Sequence, residues 1–180
     1  MQRMRHPRAT RLAVVLVAAA GIGAAGAAAA HASSGAAASV PRCRLHQLSL
    51  AQPKLNGAAG TIRLRFVFTN SSSSTCKLFG FPGMQMLNKN HKNLPTHVAR
   101  GTGHGVPPEP EVNVVMTPGQ HGSFYAGYSD VPVGGQACKV STSVEVTPPN
   151  DAKHLTLKLA IAPCGGLLTL SPVVHGRLPL

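Results

Sequence analysis

The sequence predicts an all-β domain, an antiparallel β-sandwich. Short runs alternate apolar with polar residues, and turn-forming clusters separate them. No stretch beyond the first forty residues offers a long amphipathic helix with a cap and a stop.

The strongest run sets Ile62, Leu64, Phe66 and Phe68 against Arg63, Arg65 and Val67. A second sets Val140, Thr142, Val144 and Val146 against Ser141, Ser143 and Glu145. A third sets Leu155, Leu157, Leu159 and Ile161 against Thr156, Lys158 and Ala160. Successive side chains of a strand point to opposite faces, so each run predicts one buried and one wet face. Shorter strands are expected at 45–50, 84–88, 112–116, 122–128 and 168–173. Asn56-Gly57, Thr117-Pro118-Gly119-Gln120, Gly134-Gly135 and Pro148-Pro149-Asn150 are turn signals. Phe81-Pro82-Gly83-Met84 fits a type II turn, with Pro second and Gly third. Residues 88–111 show no periodicity and are expected as one long loop.

The first residues carry an address. Arg3, Arg5, Arg8 and Arg11 precede an apolar run rich in Ala, which ends in Ala30-His31-Ala32. A basic start, an apolar centre and an A-x-A site predict a secretory signal peptide over 1–32, cleaved after Ala32. Its strongly apolar part is too short to span a bilayer. Residues 33–42 read as a flexible lead-in and 43–180 as a single domain, expected to be secreted and soluble with no transmembrane segment. Beyond Ala32 there remain thirteen Lys/Arg and five Asp/Glu, a net charge of +8. The basic residues are dispersed and aromatics are few, which argues against nucleic acid as a partner. The charge reads first as a solubilising surface with no partner specified, and second as a surface for an anionic cell-wall polymer or another envelope protein.

Cys43, Cys76, Cys138 and Cys164 make an even set in an exported chain, hence two disulfides out of three connectivities. The strand placement favours Cys43–Cys76 and Cys138–Cys164. Cys43 opens the ordered chain, and Cys76 closes the polar turn that follows the strongest strand. Cys138 begins one expected strand, and Cys164 follows the strand that would pair with it. On this reading the serine run 71–74 is a weakly specified turn that Cys76 pins in place. Asn70-Ser71-Ser72 also fits a glycosylation acceptor, read here as a plain turn.

The chemistry on offer is thin. The five carboxylates are Glu109, Glu111, Asp130, Glu145 and Asp151. Glu109 and Glu111 flank Pro110 and match a two-carboxylate glycosidase pair only weakly. There is no G-x-S-x-G elbow, and paired cysteines offer no thiolate, so no catalytic residue and no cofactor is expected. A second function class is an extracytoplasmic copper site. Met84 and Met86 share one side of a strand, and His91, His97 and His104 follow, with His121 further on. Thioether and imidazole donors suit Cu(I), although the histidine spacings match no standard pattern and paired strand methionines usually fill cores.

Gly57 to Gly60, Asn70, the run Cys76-x-Leu78-x-Gly80-Phe81-Pro82-Gly83 and Pro118-Gly119, in this order, resemble a secreted actinobacterial family catalogued as domain of unknown function 4232. The resemblance runs from about Cys43 to Val173. It implies an immunoglobulin-like β-sandwich with two disulfides, in exported or envelope-associated proteins, and no catalytic residues. The sequence therefore points first to a non-catalytic binding or interaction module and second to the metal protein.

Overall fold

The computed structural model describes residues 39–135 and 137–180. The signal peptide, its cleavage site and most of the lead-in lie outside the described residues.

The described chain is almost entirely β, with one 3₁₀ turn at Leu45–Gln47. Its strands are β1 (Leu48–Leu50), β2 (Lys54–Ala58), β3 (Thr61–Asn70), β4 (Cys76–Leu78), β5 (Gly83–Leu87), β6 (His97–Arg100), β7 (Val114–Met116), β8 (His121–Ser129), β9 (Ser143–Thr147), β10 (Leu155–Lys158), β11 (Leu167–Leu170) and β12 (Val174–His175). The large sheet runs β1-β3-β8-β11-β6, with β2 also on β3 and β12 also on β8. A second sheet runs β10-β9-β5, and a third pairs β4 with β7. All pairs are antiparallel except β6 with β11.

The three sheets close on one core. Leu64, Phe66 and Phe68 of β3 and Phe124 of β8 meet Met84, Met86, Val144 and Val146 of the second sheet. Leu78, Val114 and Met116 of the third sheet join them. Phe124 stacks on Phe66 and Phe68, with centroids 5.0 and 5.6 Å apart. Burying such rings contributes most of the drive to fold.

Several expectations shift once the backbone is in place. The wet face of β3 is partly covered: Val67 is buried, as is Tyr125 of β8, which lies opposite Arg65. Tyr125 forms a small second core with Val106, Val174 and Leu178, contributed by the chain's last residues and the 101–106 turn. Gly127 lets that turn lie flat on β8, because a Cβ there would sit 2.2 Å from the His104 carbonyl oxygen. The run from Val140 breaks phase. Val140 is exposed while Ser141, Ser143 and Val144 are buried, and the strand begins only at Ser143. Ser141 turns inward because its Oγ donates to the Leu159 carbonyl and accepts from the Ile161 N–H, tying two backbones together. Cys138 therefore does not begin the strand; it forms an isolated bridge with Cys164.

Asn56-Gly57 lies inside β2, and the hairpin turns instead at Ala59 and Gly60, both with positive φ (50° and 76°). That is the primed turn whose twist suits a two-residue hairpin. No type II turn forms at 81–84: Gly80, not Gly83, takes the positive φ, and Gly83 begins β5. Thr117-Pro118-Gly119-Gln120 does turn, with Gly119 at φ +80° and the Gln120 N–H bonded to the Thr117 carbonyl. The expected loop 88–111 contains β6, whose backbone completes the edge of β11. Among the described residues no helix is long and apolar enough to cross a membrane.

Candidate functional site

The cysteines join as Cys43–Cys76 and Cys138–Cys164. The first bridge organises the most chemically loaded surface of the domain. Arg42 pairs in parallel with Lys77, and Lys77 pairs with Val115 of β7. The pairing rests on the Lys77 N–H donating to the Pro41 carbonyl and the Cys43 N–H donating to the Lys77 carbonyl. The described end of the expected lead-in is thus tied to β4. Residues in register across a sheet share a face. Cys43 and Cys76 point into the core, so the neighbouring Arg42, Lys77 and Val115 form a row on the outer face. Two residues along each strand, Phe79 and Asn113 project on the same side.

Two adjoining clefts open on this face. One of about 170 Å³ is lined by Arg42, Lys77, Phe79, Asn113, Pro149 and Asn150. The other, of about 470 Å³, shares Arg42 and Asn150 and adds Arg44 and Asp151. Asn150 takes φ +59°, and its Nδ2 donates to the Phe79 carbonyl at 3.0 Å, fixing one wall against the other. Asn tolerates this left-handed backbone better than most residues. Asp151 is the opposing charge, and backbone occupies it. Its carboxylate accepts from the N–H groups of Leu45, Ala152 and Lys153 at 3.2, 2.8 and 3.1 Å. The Lys153 bond leads in holding its pKa below the ordinary carboxylate value. Partial burial opposes the shift, and the other two bonds and the Lys153 charge add to it. Among the described residues, Arg42, Arg44 and Lys77 form no salt bridge; the carboxylate contact of this kind is that of Glu145 with the His154 ring, at 3.1 Å.

Other cavities carry less. One of about 350 Å³ beside Arg63 has its single cation engaged: the guanidinium donates to the Gly105 carbonyl and lies over the Tyr125 ring. One of about 220 Å³ near the second disulfide is lined by Pro95, Ala137, Lys139, Gly165 and Gly166.

The copper candidates fall in unlike places. Met84 and Met86 are buried in the shared core, facing Val144 and Val146. His91 lies on an exposed turn at φ +55°, and His97 is exposed on β6. His104 bonds through Nδ1 to Thr169 Oγ1, and His121 bonds to Thr69 and Arg177. No group of three or more His, Cys, Asp or Glu side chains stands together among the described residues. Glu109 acts on Tyr125, whereas the Glu111 carboxylate lies near Gly80, so the two face different neighbours.

Sequence reasoning missed Arg42, Lys77, Phe79, Asn113 and Asn150 as a set. A signal was present: basic residues directly adjoin both cysteines of the first pair, in Arg42-Cys43-Arg44 and Cys76-Lys77. A cysteine that turns inward on a strand turns its neighbours outward.

No curated protein and no solved structure matches the chain. The family model described as Domain of unknown function (DUF4232) matches residues 43–174, from the first cysteine to the first residue of β12. The chain belongs to the DUF4232 family.

Proposed function

We propose that the chain is an exported, non-catalytic binding module whose partner is an anionic component of the cell envelope or exterior. The binding surface is the outer face of the small sheet beside Cys43–Cys76. The observation that carries this reading is the pair of adjoining clefts with Arg42, Arg44 and Lys77 on their walls, in which the lining carboxylate, Asp151, is bonded to backbone. A cationic cleft on a rigid sheet attracts anions at range and holds them at fixed register. Export is supported by the signal-peptide pattern and by the two disulfides, which persist in oxidising compartments. A non-catalytic role is supported by the dispersal of the five carboxylates, and the expected outcome of ester, peptide and glycoside panels is no turnover.

The test is calorimetric binding of the protein to purified anionic wall polymers, with a neutral polymer as control. The reading expects salt-sensitive binding to the anionic polymers alone. Replacing Arg42 and Lys77 together by Ala should weaken it about tenfold, the size expected of two partly solvated contacts. Replacing Lys89 and Lys92, exposed on the 88–93 turn, should leave it unchanged. Equal losses from both double variants would mean that only net charge matters and would sink the assignment.

A further inference from the structure

We propose that this face binds an acidic polysaccharide whose sugar rings carry carboxylates, with Phe79 as the platform on which a ring stacks. The inference rests on the binding reading above and adds the chemistry of the ligand.

Phe79 is 44% exposed, and it is the one aromatic among the exposed large apolar residues of the described chain. A single exposed apolar side chain would mean little. Phe79 is informative for its company. Val115, 36% exposed, lies one strand away on the same face, and Pro149 lines the same cleft. Together they give a small apolar floor on a sheet pinned by a disulfide and by the Asn150 hydrogen bond to the Phe79 carbonyl. The floor is rimmed by the amides of Asn113 and Asn150 and by the cations of Arg42 and Lys77.

Each element matches one part of an acidic sugar. A pyranose ring has an apolar C–H face and a hydroxyl edge. An exposed phenyl ring stacks on the first, and amide side chains donate to and accept from the second. A guanidinium presents a planar fork that fits a carboxylate, with the ammonium beside it as a second, point-like cation. Arg42 and Lys77 stand on paired segments, roughly 4.8 Å apart by sheet geometry, so both can face one anionic group. A polyphosphate chain would use the cations and ignore Phe79. An acidic peptide would use the cations and could bury apolar side chains on the floor, but it brings no hydroxyl edge for the two amides.

The experiment titrates the protein with an oligogalacturonate, a neutral hexose oligomer of equal length, inorganic polyphosphate and polyglutamate. Oligogalacturonate should bind and the neutral oligomer should not. Phe79→Ala should weaken oligogalacturonate about tenfold, in the range of a single aromatic contact, and leave polyphosphate unchanged. Phe79→Tyr should retain binding. Arg42→Ala/Lys77→Ala should weaken both anions. Thermal melting of each variant confirms folding, which an exposed position such as Phe79 should tolerate. Oligogalacturonate binding indifferent to Phe79→Ala would overturn the glycan assignment and leave the anion reading standing. So would equal binding of polyglutamate with the same dependence on Phe79, whereas equal binding of the neutral oligomer would overturn the anion reading as well. Failure of every anion to bind would overturn both readings.

Discussion

The two disulfides close loops of similar length in unlike surroundings. Cys43 and Cys76 are 33 residues apart and Cys138 and Cys164 are 26. The chain-entropy relation gives about 3.7 and about 3.5 kcal/mol, so loop length barely separates them. Surroundings separate them. Cys43 and Cys76 are both buried within the core cluster, and they join the start of the domain to β4, one of the strands that carry the basic face. Cys138 is only partly buried and follows an exposed run at 131–135; β9 begins five residues later and β10 ends six residues before Cys164. The strand pattern alone suggests the reverse: a first pair that holds a loose terminus and a second that joins two paired strands. A crosslink matters most where the native state uses it to pack. Where it ties a segment with few other contacts, it restrains the native chain as well as the unfolded one, and cutting it returns some entropy to both.

Two double variants test that contrast. Cys43→Ala/Cys76→Ala should cost about 4 kcal/mol, because loop closure is lost and two buried sulfur atoms leave space in the core. Fast hydrogen exchange should then spread from 41–44 and β4 into β7. Cys138→Ala/Cys164→Ala should cost about 1–2 kcal/mol, with fast exchange confined to 130–140 and 162–166. Equal unfolding free energies would mean that loop length alone governs both bridges.

The next effect concerns what else holds the corner at Cys76. Asn70 is fully buried at the end of β3. Its Nδ2 donates to the carbonyls of Ser74 and Met116 at 2.8 and 2.9 Å, and its Oδ1 accepts from the N–H and the hydroxyl of Ser72 at 3.0 and 2.7 Å. The serine run is therefore specified by one side chain as well as by the disulfide. Asn70→Ala strands those partners and should cost about 2 kcal/mol, the scale of unmet buried polar groups. The bridge should survive in the variant, read by non-reducing peptide mapping. A cost as small as that of Ser72→Ala would show that the disulfide alone sets the turn.

Legibility followed how local each cause is. The alternation of β3 and β10 is visible in the sequence because one face of each strand meets one core. β6 is not, since His97, Val98, Ala99 and Arg100 are all exposed. It is a strand only because β11, sixty-odd residues away in sequence, offers it an edge. Ser141 falls on the expected wet face because a polar residue reads as outward. Its inward hydroxyl serves two backbone groups that no pattern announces. The basic face is hidden for a related reason. Arg42 and Lys77 look scattered until a bridge sets them side by side, and Phe79 stands at an unspecified position between Leu78 and Gly80 until its exposure is known.

A third tie has no covalent bond, and its strength should vary with pH. The chain's end lies across the outer face of the large sheet. The Leu178 N–H donates to Ser123 Oγ, the Tyr125 hydroxyl to the Pro179 carbonyl, and the Arg65 guanidinium to the Leu178 carbonyl. At its edge, His121 bonds through Nδ1 to Thr69 Oγ1 at 2.9 Å and through Nε2 to the Arg177 guanidinium at 3.0 Å. A guanidinium can only donate, so Nε2 must accept, and Nδ1 carries the proton and donates to Thr69. Protonation would set an N–H against an N–H and add a second positive charge. Burial first, and the Arg177 charge second, accordingly lower the His121 pKa from 6.5. His175 follows on β12, with its Nε2 on the Asn113 carbonyl, and no carboxylate figures among the causes of the shift. The unfolded chain thus takes up this proton at higher pH than the folded one. Stability should fall as pH drops from about 6.5 toward the folded value and level off below it. Because His121 is only partly buried, the drop should be the smallest of these effects. The readout is the difference in melting temperature between the protein and His121→Gln across pH 7 to 5, which isolates this one side chain. That difference should narrow as pH falls, with exchange at 176–180 rising in the protein but not in the variant. A His121 imidazole that titrates at or above 6.5 by NMR would remove the basis for this tie.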